Sequence, residues 1–106
     1  MRQLSYGPRA ALDIESIVIY VGEVLRAPET AENLYRKIRQ TVQDLCATPE
    51  IGRPYYDEML DRKQYRSFLV EQYRIFYTYD EKTLTVWRVI HTRQDIDDYA
   101  LIEWSE

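Results

Sequence analysis

The sequence is poor in the side chains that usually mark an enzyme. It has one cysteine, Cys46, and one histidine, His91. A single thiol excludes an internal disulfide and fits a reducing compartment. One histidine and one cysteine also leave too few soft ligands for a transition metal, so no metal and no cofactor are expected. Glycine is scarce, with three in the chain, and none sits in a phosphate-cradling loop or a nucleophile elbow. No apolar run is long enough to cross a bilayer. Arg2 opens a mixed segment rather than a hydrophobic one, which argues against a signal peptide and for the cytoplasm. Positive charge is the minority: 14 Lys and Arg against 18 Asp and Glu, a net −4. Direct binding to a polyanion such as nucleic acid is therefore not expected. The basic residues are unevenly placed, however. Arg53, Arg62, Lys63, Arg66, Arg74, Arg88 and Arg93 all fall in the second half.

What the chain does have is aromatic and β-branched sequence in blocks. Ten tyrosines in 106 residues are many, and most should be half-buried packing residues. Tyr65–Val70, Tyr73–Tyr79 and Leu84–His91 are rich in strand-forming residues. Glu71-Gln72 and Asp80–Thr83 separate them. This spacing predicts a three-stranded antiparallel meander. Ahead of it, Arg2–Tyr6 reads as a strand at a sheet edge or paired to the meander, and Gly7-Pro8 ends it. From Pro8 to about Leu25, Ala11, Ile14, Ile17, Val18, Val21, Val24 and Leu25 recur at helical steps. From Pro28 to Ala47 the stripe is Ala31, Leu34, Tyr35, Ile38, Val42 and Leu45, with Glu29 and Glu32 at the dipole-favoured start. The short Ala27-Pro28 joint makes the two helices an antiparallel hairpin. Ile51–Pro54 reads as a turn followed by a loop to Lys63. Gln94–Glu106 is too apolar for a solvated tail and reads as a short helix or one more strand, with Asp95, Asp97 and Asp98 suiting a helix start.

These elements predict one α+β domain over residues 1–106: an N-terminal strand, a helical hairpin, then the meander, with the hairpin on one face of the sheet. With Tyr79 opposite Leu84, strict alternation puts Arg66, Phe68, Val70, Ile75, Tyr77, Tyr79, Leu84, Val86, Arg88 and Ile90 toward the helices. The other face then carries Tyr65, Leu69, Arg74, Phe76, Thr78, Thr85, Trp87, Val89 and His91, and stays open. Arg88 and Arg66 are candidates for ion pairs with Asp13 or Glu15. Cys46 is expected to be a buried small hydrophobe.

In this order the pieces resemble a known family. Ala10–Ile17 with Tyr20, the Ala31–Leu45 stripe, Pro49–Arg53, Tyr65–Phe68, Tyr73–Tyr77 and the closing His91-Thr92-Arg93-Gln94-Asp95 are similar to the ParE branch of the RelE/ParE toxins. The resemblance implies a toxin of a type II toxin–antitoxin system, of the kind tied to plasmid stabilisation, that inhibits DNA gyrase. It implies a ParD-like antitoxin as partner. The alternative within the same fold is a ribosome-dependent mRNA endoribonuclease. In that reading His91 and Glu58 would transfer protons, and Arg74 with Arg66 would hold the scissile phosphate. The acidic balance, and Thr92 rather than tyrosine after His91, favour the gyrase branch. Arg74, His91, Arg93 and Trp87 are the expected binding residues. Leu34, Tyr35, Ile38 and Trp104 are the expected antitoxin contacts.

Overall fold

A computed structural model describes residues 1–55 and 64–93. The expected C-terminal helix, and with it Glu58, Arg62, Lys63 and Trp104, lies outside the described residues. The described chain folds as α+β. β1 (Gln3–Tyr6) leads into α1 (Pro8–Ile19), then α2 (Pro28–Ala47), β2 (Arg53–Tyr55), β3 (Tyr65–Val70), β4 (Tyr73–Tyr79) and β5 (Thr83–His91). Proline starts both helices, where its missing N–H is no loss. Tyr20–Val24 continues α1 as one π-helical turn, and Pro49–Ile51 forms a 3-10 turn after α2.

Among the described residues the sheet has five strands in the order β1-β5-β4-β3-β2. β1 runs parallel to β5, and the other pairs are antiparallel. The meander forms with Val70 opposite Tyr73 and Tyr79 opposite Leu84, as the sequence spacing requires. The segment read as a turn at Ile51–Pro54 contributes instead a fifth, edge strand, β2, against β3. Proline is tolerated there because an edge strand has one side with no ladder to feed.

The main core lies between helices and sheet. From α2 it takes Ala31, Leu34, Ile38, Val42, Leu45 and Cys46, and from the sheet Val70, Ile75, Tyr77, Leu84, Val86 and Val89. The α2 stripe holds as predicted apart from Tyr35, which is 41% exposed. In α1 the stripe slips. Val21 is buried, but Val24 and Leu25 are exposed. The π turn takes one more residue per turn, so the phase lags and these two swing outward.

A second departure concerns β5. The ladder with β4 is regular from Leu84 to Val86 and resumes at Arg88 opposite Phe76, leaving Trp87 as an extra residue. This β-bulge inverts the alternation beyond it. Val89 packs with the helices, and Ile90 joins Tyr65 and Phe76 on the other face. The expected positions of Val89 and Ile90 are thus exchanged.

Two contacts fasten the layers. Asp13 of α1 accepts from Arg88 Nε at 2.7 Å and Nη2 at 3.1 Å, and from the backbone N–H of Val89 at 2.9 Å. β1 stops pairing at Val86, so Val89 sits on a bare stretch of edge, and the carboxylate supplies the partner the strand lacks. The expected Asp13–Arg88 pair is therefore present. Arg66 is not paired to a helix carboxylate; it donates to the Gly52 and Glu50 carbonyls at 2.7 and 3.3 Å.

At the other end of the core, the Tyr77 hydroxyl donates to the Pro49 carbonyl and the ring is fully buried. Burial pushes its ionisation up from 10.0 to about 12, against smaller lowering effects from the Gly52 backbone and Arg66. Tyr77 thus favours the fold fully below the ordinary tyrosine value, and that contribution disappears as pH climbs through about 12. A titration of phenolate absorbance should show the more exposed tyrosines ionising first, with the last tyrosine step coinciding with alkaline unfolding. A last step completed while near-UV dichroism stays native would contradict this.

Candidate functional site

The sheet face away from the helices was expected to be open and lined by Arg74 and His91. Its middle is instead apolar and closed. Tyr65, Phe76 and Ile90 are buried there, flanked by Tyr55 and Trp87. Tyr55 meets Phe76 edge-on, ring centres 5.0 Å apart. Trp87 is half-buried and its indole N–H donates to Thr78 Oγ1 at 2.9 Å. Arg74 lies on this face, half-buried, with Nη1 3.3 Å from the buried Ser67 hydroxyl.

His91 is on the opposite face. The bulge turns it toward α1, where it lines a cleft of about 390 Å³ with Asp13, Ser16, Ile17, Tyr20, Tyr73 and Val89. Its ring stands edge-on to Tyr73 at 5.2 Å. Nδ1 accepts the Arg93 backbone N–H at 3.0 Å, which requires that nitrogen to be unprotonated. Nε2 lies 3.3 Å from Gln72 Oε1, the geometry of a donor to the amide oxygen. His91 so ties the end of β5 to the β3–β4 turn, and Thr92 N–H adds a bond to the Gln72 carbonyl at 2.8 Å. Tyr73 ionises above its ordinary value, first because it is buried and then because of nearby Tyr20. Arg93 is exposed beside this end of the sheet.

The four residues singled out for RNA cleavage are therefore not assembled among the described residues. Arg74 is on one face and His91 on the other. Arg66 is on the helix side, with its guanidinium engaged by two carbonyls. Glu58 is outside the described residues. Among those residues no cluster of three potential metal ligands occurs. No described helix is long and apolar enough to cross a membrane.

The more prominent surface is on the helical hairpin. A second groove, about 450 Å³, is lined by Ala11, Ile14, Glu15, Val18 and Ile19 of α1 and by Tyr35 of α2. Ile19, which lines it, and Leu12, Tyr20, Val24 and Leu25 on α1 and the turn after it are 45–63% exposed. This corrects two of the expected antitoxin contacts. Leu34 and Ile38 are 8% and 0% exposed, because their one-turn spacing aims both at the sheet. Tyr35, one position round the helix, does reach the surface and lies under the Arg39 guanidinium at 5.8 Å. The exposed α1 residues were missed. The available signal was Leu12 and Ile19, seven residues apart and off the buried stripe, hence together on an outer face.

A strand, a helical hairpin and an antiparallel meander, with an apolar groove on the hairpin, define a small α+β domain built to present its helices. Residues 4–96 match the ParE toxin of the type II toxin–antitoxin system parDE. The chain belongs to that family. Among solved structures it is similar to a chain of the chromosomal ParDE toxin–antitoxin system from P. aeruginosa, at 22% identity and TM-score 0.68, over 86% of this chain and 96% of that one. No curated protein matches the sequence.

Proposed function

We propose that this ParE-family toxin acts by poisoning DNA gyrase in the cytoplasm, and that a ParD-like antitoxin neutralises it by covering the helical hairpin. The observation that carries the choice of target is the separation of Arg74, Arg66 and His91. Acid–base cleavage of RNA needs the proton-transfer groups and the phosphate-binding cation around one scissile bond. Here the bulge at Trp87 sends His91 to the face opposite Arg74, and Arg66 is committed to backbone carbonyls. The net charge of −4 also disfavours a polyanionic substrate. Inhibition of a protein target asks for surface rather than for an acid–base pair.

The antitoxin reading rests on the groove between α1 and Tyr35 and on the exposed apolar residues of α1 and the turn after it. Apolar patches of that kind mark partner surfaces. An amphipathic segment that orders on docking would suit them.

Induction in cells tests the target. Relaxed or broken plasmid DNA and a DNA-damage response are expected, with transcripts intact. Site-specific transcript cleavage would instead establish the nuclease. His91→Ala is expected to keep full toxicity, since the ring serves as a strand-end tie. Lost toxicity in a variant with native circular dichroism would return His91 to an active site.

A further inference from the structure

The two edges of the sheet are defended differently. β2 carries Arg53 and Pro54, a charge and a residue with no N–H to offer. Such residues stop an edge from recruiting another strand. β1, Gln3-Leu4-Ser5-Tyr6, has no charge, no proline and no bulge, and all four residues are exposed.

The direction of its free hydrogen-bonding groups can be read off the ladder. Gln3 N–H donates to Lys82 and Gly7 N–H to Val86, both on the β5 side. Alternation then turns the backbone N–H and C=O groups of Leu4 and Tyr6 outward. Their side chains share the helix face, opposite Leu84 and Val86, and are 36% and 39% exposed. Tyr6 ionises above its ordinary value, first through partial burial and then through Tyr35, with Arg39 opposing.

We propose that this edge pairs with β1 of a second copy of the chain, antiparallel, with Leu4 opposite Tyr6 of the partner subunit. One register satisfies every outward group. Sliding one way sets Tyr6 against Arg2, whose N–H is already given to the Cys46 carbonyl. Sliding the other way sets Leu4 against Pro8, which has no N–H. Between them, Leu4 and Tyr6 exchange four hydrogen bonds across the two-fold axis, with Leu4 and Tyr6 side chains in contact. Ser5 then meets its own counterpart as a close, non-hydrogen-bonded pair on the far face. The uncharged edge sets no like charges against each other, which a chain of net −4 needs for self-association. The result is a ten-stranded sheet with both helical hairpins on one side. This pairing does not depend on the gyrase reading.

Cross-linking tests it. In a Cys46→Ala background, Ser5→Cys is expected to give a disulfide-linked dimer on mild oxidation. Gln3→Cys, on the same face but two residues from the axis, is expected to stay monomeric. Tyr6→Pro removes an outward N–H that has no backbone partner among the described residues. By sedimentation equilibrium it should weaken wild-type self-association about tenfold or more while the circular dichroism stays native. Equal cross-linking at positions 3 and 5, or a wild-type chain monomeric at all accessible concentrations, would overturn the proposal. So would β1 amides protected from exchange solely when a ParD-like antitoxin is co-expressed, and that outcome would give the edge to the antitoxin.

Discussion

Asp13→Ala is expected to cost about 3 kcal/mol of folding free energy, among the largest losses available from one polar side chain. The carboxylate and its partner Arg88 are 17% and 16% exposed, so water screens them little. Removing it strands a largely buried guanidinium and leaves the Val89 N–H without its acceptor on the bare edge of β5. Both penalties are those of unpaired buried groups rather than of a lost surface pair. In a domain of this size the melting temperature should fall by roughly 10–20 °C. Urea unfolding should show a lower midpoint with an unchanged slope. Asp13→Asn keeps an oxygen able to accept from Val89 and should cost less than half as much. A midpoint for Asp13→Ala within error of the parent would mean that water replaces all three bonds freely.

Gly52→Ala is expected to cost about 2–4 kcal/mol, although the backbone at Gly52 is one any residue adopts. The obstacle is Tyr77. A Cβ at position 52 would lie 2.0 Å from its hydroxyl oxygen and under 3 Å from two ring carbons. That ring is fully buried and cannot step aside without breaking its bond to Pro49 and disturbing the core. Adding Tyr77→Phe removes the worst contact and leaves the ring carbons, so it should rescue part of the loss. The double-mutant cycle should show coupling well above zero. Gly22→Ala is the control. Its Cβ would find Ala31 at an ordinary 3.4 Å, and stability should hardly move. Additive Gly52 and Tyr77 effects would show that the backbone, and not the ring, makes room.

The parts of this fold that were legible in the sequence are the ones set by neighbours along the chain. Pro8, Pro28 and Pro49 bracket the helices, and the α2 stripe from Ala31 to Leu45 reads directly as a buried face. The Glu71-Gln72 turn fixes the β3–β4 register. The features that were not legible are decided by partners distant in sequence. The bulge at Trp87 leaves no mark on the composition of β5, yet it alone decides where Val89, Ile90 and His91 point. It undid the expected Arg74–His91 face, and with it the candidate site. Arg53-Pro54-Tyr55 carries a turn signal and becomes a strand because β3 lies beside it. The π turn at Tyr20–Val24 is likewise silent in the helical period. Exposure is harder still to read, as Leu34 and Tyr35 show: adjacent and both apolar, they divide between core and surface by one step of rotation.

The parallel alliance of β1 with β5 has a consequence for synthesis. Gln3–Tyr6 is made well before its complement at Thr83–Val86, which follows it by 80 residues. Closing so long a loop late makes maturation slow relative to a helical protein of equal length. Until then the opening strand has no home, and the helices have no complete floor to rest on. Any segment that stops short of Thr83 therefore leaves β1 without its parallel partner, so the first strand is among the last to be secured.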